Sequence, residues 1–361
     1  MRTAHICFFD AFPPKSGSGV VCYDFFKSWP NKDNKLFQMS SKIVSKNKII
    51  NIKLYKNKPL FKILNLPILI IKILSFFKNS KKNILIIEGP SWIFYTFIVF
   101  IFFKIIKNNT FLIYRSHSIE YEIRLKNSNK IISMITKFCE YIVYKIANIS
   151  TSVSKVENKK ILQYYNTKTE IFPNSIRSTD IKNIKQTLVK KLPKKFILYS
   201  GSYEYNPNRI AINYIIEKIL PKITKYNIFF VLTGNNNKNF KNKYVINLGH
   251  ITKSKLKYLF KKTICLVVPL FEGYGTRIKI LEAITLNTKV ISTRIGIEGI
   301  DYQKNSKNFI VTNNLNEILK GILKFSNQRK VIKNFKNDLS LQYSMETNAL
   351  TFYNKLKKII K

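Results

Sequence analysis

Acidic residues are scarce: the 361-residue chain has 19 Asp and Glu against 63 Lys and Arg, a net charge of +44. Cysteine is scarce too. Cys7, Cys22, Cys139 and Cys265 lie far apart and form no Cys-x-x-Cys pair, which excludes a disulfide framework and a cysteine-clustered zinc fold and suits a reducing compartment. Glycine, at 11 residues, is far too rare for a collagenous chain. The N-terminal apolar run Ile6 to Phe9 is short, ends at Asp10 and has no small-residue cleavage site behind it, so it reads as a first buried strand and not as a signal peptide. What the chain has in plenty is apolar material. Hydrophobic residues make up 45% and aromatics 14%, enough for packed cores and too much for charge-driven disorder. At roughly 150 residues per domain, the length suggests two domains.

A strongly basic chain invites nucleic acid as a partner, since Lys and Arg that neutralise phosphates supply most non-specific affinity. Lysine, asparagine and isoleucine are abundant in every region, however, which an AT-rich coding sequence would also produce. One stretch stands out. Between Asp33 and Glu88 there is no acid, while Lys35, Lys42, Lys46, Lys48, Lys53, Lys56, Lys58, Lys62, Lys72, Lys78, Lys81 and Lys82 alternate with Ile, Leu and Phe. That pattern suits an anionic membrane surface, where each nearby Lys is worth about 1 kcal/mol and apolar side chains insert between them; solvated loops and helix faces are the plainer alternative. The most apolar segment, Trp92 to Ile106, would span about 22 Å as a helix against a hydrocarbon core of about 30 Å. It is expected to be a helix buried between sheet and surface, and the chain is not expected to be an integral membrane protein.

Short apolar runs alternate with longer segments of helical period: Ile6 to Phe9, Ile84 to Ile87, Phe111 to Tyr114, Phe196 to Tyr199, Phe229 to Leu232, Cys265 to Pro269 and Lys289 to Ser292. Continuous apolar strands are what a parallel sheet covered on both faces requires, so the fold class is α/β with two doubly wound, Rossmann-like parallel-sheet domains. The expected boundaries are 1–177, a linker at 178–195 ending in Leu192-Pro193, 196–340, and a terminal helix in 341–361. Ligands of open parallel sheets bind beyond the carboxyl ends of the strands. The loops there are Pro13 to Gly19, Arg115 to Ser118, Ser200 to Ser202 and Gly273 to Thr276.

In Pro269-Leu-Phe-Glu272-Gly-Tyr-Gly275-Thr276-Arg277-Ile-Lys279-Ile-Leu-Glu282-Ala283, glycines allow a tight turn into a helix whose free amides and positive dipole end attract phosphate. Arg277 and Lys279 add formal charge, and the Glu282 carboxylate can accept hydrogen bonds from a pair of sugar hydroxyls. An ordinary strand-to-helix turn with surface charges has the same pattern.

This run, followed by Val290-Ile-Ser-Thr-Arg-Ile-Gly296-Ile-Glu298-Gly299, resembles the C-terminal donor domain of the family 4 (group 1) retaining glycosyltransferases, which have the GT-B fold. Tyr199-Ser-Gly201-Ser-Tyr-Glu-Tyr-Asn-Pro207-Asn208, Leu232-Thr-Gly234 and Asn247-Leu-Gly249-His250 match in the family's order. The N-terminal half matches more loosely at Phe12-Pro-Pro-Lys-Ser-Gly17-Ser-Gly19, Glu88-Gly89-Pro90, Ser116-His117-Ser118-Ile119-Glu120-Tyr121 and Phe172-Pro173-Asn174-Ser175. The tail from Tyr343 to Leu356 is similar to the family's terminal helix, which packs back onto the first domain.

The resemblance implies transfer of a sugar from a nucleotide-diphosphate donor with retention of configuration, in a cleft between the two domains. It implies no cofactor and no metal, and the sequence has no Asp-x-Asp pair to hold one; cationic side chains and helix amides would then stabilise the diphosphate leaving group. A donor phosphate oxygen is expected to take the acceptor's proton. Glu282 matches the second Glu of the family's Glu-x7-Glu element and is expected at the nucleotide ribose. Position 274, where the first Glu belongs, is Tyr, and Glu272 stands two residues earlier as the candidate for the donor sugar's hydroxyls; the Gly-Thr-Arg-x-Lys turn is a recurrent variant in the family. Gly275 and Thr276 are expected to present amides to the diphosphate, with Arg277, Lys279 and Arg209 as charge partners and Gly201 close by. Gly17 and Gly19 match the glycine loop that lets the first domain approach the donor phosphates. A lone loop histidine is commonly structural, but in the family a His after this strand reaches the donor sugar, which makes His117 a catalytic candidate beside Glu272. Glu298 lines the nucleotide pocket or shapes a turn, and His5 and His250 read as structural.

The functional expectation is therefore a glycosyltransferase of cell-surface polysaccharide biosynthesis, lipopolysaccharide included. It would use a nucleotide sugar and a glycan or lipid-linked acceptor, in the cytoplasm and peripherally on the inner face of the cell membrane. Two alternatives stand beside it. A basic nucleic-acid-binding protein has charge in its favour but no helix-turn-helix, zinc or aromatic-glycine RNA motif, so no nucleic acid is expected; a sugar-nucleotide epimerase shares the GT-B fold.

Overall fold

The structure is a computed structural model, and it describes residues 1–14, 16–41, 46–89, 91–106, 109–177, 192–236, 238–273, 275–302, 307–328 and 341–360. The chain divides into two compact units, Met1–Ser175 with Met345–Lys361, and Ile176–Ser344. Most of the expected linker, residues 178–191, lies outside the described residues.

In the first unit, β1 (Arg2–Cys7), β2 (Asn34–Ser40), β3 (Ile49–Lys53), β4 (Asn83–Glu88), β5 (Thr110–Arg115), β6 (Ile149–Ser152) and β7 (Glu170–Ile171) form a parallel sheet in the order β3-β2-β1-β4-β5-β6-β7. The central strands β1 and β4 are buried but for Arg2, as a parallel sheet covered on both faces requires. The chain winds outward from β1 to β3, then returns to β4 and winds the other way, so the order reverses between β1 and β4. Right-handed crossovers then place α2 (Pro59–Leu64), α3 (Leu66–Phe77), α4 (Ile93–Ile106), α5 (Glu120–Asn127), α6 (Lys130–Ile146) and α7 (Lys155–Tyr165) on one face of the sheet. Contacts of α3 with α4, α4 with α6 and α6 with α7 agree. α1 (Gly17–Ser28) covers the other face and contacts the terminal helix, here α13 (Met345–Ile359). There Trp29 packs edge-on against Tyr353, and Phe352 against Phe172.

The apolar segment at 93–106 is a helix as expected, with Val99, Phe100 and Phe103 fully buried and Ile105 and Ile106 exposed at its end. Pro59–Phe77 is a second apolar stretch, 19 residues long and sufficient in length and composition to cross a membrane. Pro67 restarts the helix after Asn65, and Leu66, Leu69, Ile70, Ile73 and Phe77 are buried in the core. At about 1.5–3 kcal/mol for each fully buried large aliphatic or aromatic side chain, these five anchor α3 to the sheet.

Two buried carboxylates close helix N-termini in this layer. Glu140 of α6 accepts from the backbone amides of Glu120 and Tyr121 at the start of α5 (2.8 and 3.0 Å) and from the Tyr165 hydroxyl of α7 (2.5 Å). Glu120 in turn accepts from the Ile93 amide that opens α4 (2.5 Å) and from Arg124 one turn on. Burial raises both carboxyls against these hydrogen bonds, to about 8 for Glu140 and about 7 for Glu120.

In the second unit, β8 (Phe196–Ser200), β9 (Phe229–Thr233), β10 (Val245–Asn247), β11 (Leu266–Val268), β12 (Val290–Ser292) and β13 (Phe309–Val311) form a parallel sheet in the order β10-β9-β8-β11-β12-β13. The order again reverses, between β8 and β11. The helices are α8 (Asn206–Tyr214), continued through a π turn at Ile215–Ile219 into α9 (Leu220–Ile223), then α10 (Lys253–Lys262), α11 (Ile278–Thr285) and α12 (Leu315–Asn327).

Candidate active site

Each sheet has its switch point where strand order reverses, and the loops beyond the carboxyl ends of the strands there are the places for a ligand. The sequence-derived candidates fall at both, and each group is described within its own unit.

In the second unit the loop after β8 and the turn into α11 converge. Gly201 has no side chain where one would stand 2.9 Å from Lys279 Nζ and 2.8 Å from Asn208 Nδ2, so Lys279 can fold back across the strand end. Its ammonium donates to Asn208 Oδ1 (3.1 Å), which also accepts from the Tyr199 hydroxyl (2.7 Å), and it lies 3.9 Å from the centre of the Tyr199 ring. Burial and the neighbouring Arg277 push the Lys279 pKa down to about 7, while Glu282 pulls it upward. A lysine desolvated beside Arg277 and poised near neutrality is one that an incoming anion would charge. Gly234 closes the loop from below: its φ is +130°, and a Cβ there would lie 2.4 Å from the Gly201 carbonyl oxygen.

The glycine turn runs through Gly273 and Gly275, both at positive φ. Arg277 occupies the N-cap of α11 without a side-chain cap bond and donates to the Gly275 carbonyl (2.5 Å). Thr276 Oγ1 is buried with no hydrogen-bond partner among the described residues, as suits a group that meets a ligand. Glu272 is exposed and accepts from Asn206 Nδ2 (2.7 Å); Arg209 donates to the same Asn206 through its carboxamide oxygen. The structure thus brings Gly201, Arg209, Glu272, Gly275, Thr276, Arg277 and Lys279 together. Glu282 and Glu298 stand further out and are linked to the group through the charges of Lys279 and Arg277 respectively.

In the first unit Gly17 is the first residue of α1, and Gly19 donates its amide to the N-cap Ser16 Oγ (3.1 Å) against the loop after β1. His117 follows β5, and its centre of interaction is Glu88 at the end of β4. Arg115 donates to both Glu88 oxygens (2.7 and 2.9 Å), His117 Nε2 lies 2.7 Å from Oε2, and the Cys22 thiol of α1 donates to Oε2 (3.3 Å). Burial drives the Glu88 carboxyl up, but Arg115 and His117 more than offset it and hold it at about 2. For His117, burial disfavours the imidazolium while Cys22 and Glu88 favour it, leaving a pKa of about 9. Burial keeps the Cys22 thiol well above its ordinary range and therefore neutral at pH 7, so the Glu88 carboxylate is the effective partner. Arg115 and His117 both face this one carboxylate at the switch point.

Cys22, Glu88 and His117 offer ligand atoms within 4.8 Å of one another. Arg115, however, takes both oxygens of Glu88 and sets a permanent cation against any metal there. The arrangement fits a charged hydrogen-bonded cluster better than a metal site.

The sequence reading passed over Glu88, Arg115, Cys22, Asn206 and Asn208 as site residues. The signal for two of them was present: Glu88 and Arg115 are opposite charges ending two apolar strands, and they are register partners in the sheet. His5 is buried among Phe25, Phe26 and Trp29, with its pKa lowered to about 3 chiefly by burial, in keeping with a structural role.

Residues 194–328 match the family model described as glycosyl transferases group 1. The match covers the strands and turns that carry the Lys279 cluster. No curated protein matches the chain. Among solved structures, Anabaena HepE in complex with UDP and glucose is similar, at 10% identity over 99% of this chain and 100% of that one, with a TM-score of 0.69. A structure described as trehalose-6-phosphate from E. coli bound with UDP-2-fluoro glucose is 11% identical over 99% of each chain, TM-score 0.67. The UDP-GlcNAc 2-epimerase of Methanocaldococcus jannaschii is 12% identical over 99% and 100%, TM-score 0.62. At these identities the likeness shows the fold, the pair of Rossmann-like domains implied by the GT-B resemblance.

Proposed function

We propose that the protein transfers a sugar from a nucleoside-diphosphate sugar, with retention of configuration, to a glycan or lipid-linked acceptor in cell-surface polysaccharide biosynthesis. The observation that carries this is the Lys279 cluster: a half-neutral lysine, Arg277 and the glycine turn at the start of α11, inside the segment that matches the group 1 family model. Lys279, Arg277 and the amides of Gly275 and Thr276 would meet the diphosphate as it gains charge on departure, with no metal required. Glu282 would hold the ribose, Glu272 the donor sugar and Glu298 the rim of the nucleotide pocket. Gly17 and Gly19 would let the first domain approach the phosphates, and the charged His117 would face the donor sugar, held in one orientation by Glu88. A donor phosphate oxygen would take the acceptor hydroxyl's proton as the new glycosidic bond forms and the bond to the diphosphate breaks. HepE and the E. coli structure, bound to UDP-containing ligands, favour a uridine donor. The model that matches the second unit is a transferase family, which favours transfer over epimerisation. The acid-free, lysine-rich stretch from Asp33 to Glu88 favours work in the cytoplasm, on the inner face of the cell membrane.

A thermal-shift screen with UDP, GDP, ADP and CMP and their sugar conjugates tests the reading, since a ligand that binds the native state alone raises the melting temperature. Stabilisation by one diphosphate family, reduced in Glu282→Ala, is the expected result. No shift with any nucleotide sugar would reduce the assignment to one of fold.

A further inference from the structure

The first half of α6 is polarised the wrong way for a helix that covers a sheet, while its second half buries Cys139, Val143 and Tyr144 in the core. Its buried side includes Ser133, Thr136 and Glu140, while Ile131, Met134, Ile135 and Phe138 point outward, at 70, 63, 42 and 59% exposure. Leu60 and Leu64 of α2, on the same face of the sheet, are exposed to 61 and 62%. Isolated exposed apolar residues need no explanation, but several on one side of one helix do. Both groups sit at the end of the unit where the strands finish, since α2 follows β3 and crossover helices run back antiparallel to the strands. A ladder of rings links the patch to that end: Phe138 contacts Phe97, Phe97 stacks on Phe94, and Phe94 on Trp92, four residues beyond Glu88.

Charge identifies the occupant. α2, α3 and α4 contain no acid, and the one acid of α6, Glu140, is fully buried. Lys58 and Lys72 flank the outer sides of α2 and α3, and Lys130 and Lys137 are exposed among the α6 residues. A second copy of the chain docked on this face by a twofold axis would set these lysines against their own copies. A surface with apolar side chains projecting between lysines, and no exposed carboxylate, matches a bilayer interface with anionic headgroups.

We propose that the outer face of α6 with α2 is a monotopic docking surface for an anionic bilayer, entered by Ile131, Met134, Ile135 and Phe138 and held by the surrounding lysines. The proposal deepens the transferase reading by naming where a lipid-linked acceptor would be met, at the carboxyl-end rim beside Glu88 and His117. It differs from attraction by the Asp33–Glu88 lysines alone, because it requires apolar insertion.

Co-sedimentation of the full-length protein with phosphatidylcholine vesicles, with and without phosphatidylglycerol, tests it. Binding is expected to the anionic vesicles. Lys130→Gln with Lys137→Gln should weaken it about 25-fold, fivefold per lysine. Met134→Gln with Phe138→Gln, which leaves every charge in place, should weaken it about tenfold or more. Because all four side chains are exposed, the variants should keep the parent melting temperature. Failure of the parent to bind, or unchanged binding by the Met134/Phe138 variant, overturns the proposal. A dimer in sedimentation velocity that this variant abolishes also overturns it, in favour of a second copy. UDP thermal shifts on the same samples keep the two readings apart: lost vesicle binding with an intact UDP shift bears on the surface alone, and an absent UDP shift on the transferase reading alone.

Discussion

Raising the pH from 7 to 8 should change how many protons accompany a nucleoside diphosphate into the second unit. Lys279 has a pKa of about 7 in the unliganded site because it is desolvated beside Arg277, so it is half charged at pH 7 and ~10% charged at pH 8. A diphosphate in contact with its ammonium reverses the electrostatic balance and returns the pKa toward the ordinary value of ~10. Binding would then take up ~0.5 proton at pH 7 and ~0.9 at pH 8, and affinity would fall about fivefold between the two, equivalent to ~1 kcal/mol. Titration calorimetry of UDP in two buffers of different ionisation heat reads the uptake directly. The nucleotide's own terminal phosphate titrates near pH 6, so measurements belong at pH 7 and above. Lys279→Met should abolish the uptake while removing a contact to Asn208. Heats independent of buffer at pH 8, or the same uptake in Lys279→Met, would refute the assignment of Lys279 as the group that meets the diphosphate.

Glu88→Gln should leave Arg115 and His117 buried without their counter-charge, at a cost of about 3–5 kcal/mol and roughly 6–20 °C in melting temperature. In the same variant the His117 resonance should titrate below its ordinary 6.5 instead of at about 9. The His117 contribution is complete below pH 6.5 and lost as pH rises through 9, so the stability gap between parent and variant should narrow across that window. Glu140→Gln should show the same direction of pH trend, over a lower window. The native carboxyl ionises at about 8 against 4.5 in the unfolded chain, so between these values the unfolded state binds fewer protons and the parent loses stability as pH rises. Chemical denaturation should show the variant gaining on the parent by about 1.4 kcal/mol per pH unit across that range.

The strands and turns that could be read from the sequence were those with local signals. β4, β5, β8 and β9 are unbroken apolar runs, and the turn Gly273–Arg277 announces itself through two glycines followed by two cations. β6 was not legible because its buried residues are Ile-Ser-Thr-Ser, three of them polar; β2 opens on Asn-Lys and carries a buried Gln38 bonded to Phe12 and Asn51. The cluster at Glu88 was hidden for another reason. Cys22, Glu88, Arg115 and His117 are brought together by strand order, which local periodicity does not encode. The first half of α6 departs from the usual pattern, with Ile131, Met134, Ile135 and Phe138 exposed while Ser133 and Thr136 are buried.

The carboxylates of Glu120 and Glu140 tie four helices together: the start of α4 depends on Glu120 of α5, the start of α5 on Glu140 of α6, and Tyr165 at the end of α7 donates to the same Glu140. Opening any one of these helices breaks a bond that another needs, so the four should open together as a single cooperative element, with amide exchange rates that converge on one value. The layer that presents Phe138 and Ile131 to its surroundings is in this sense a plate fastened from beneath, by carboxyls that burial tends to keep protonated.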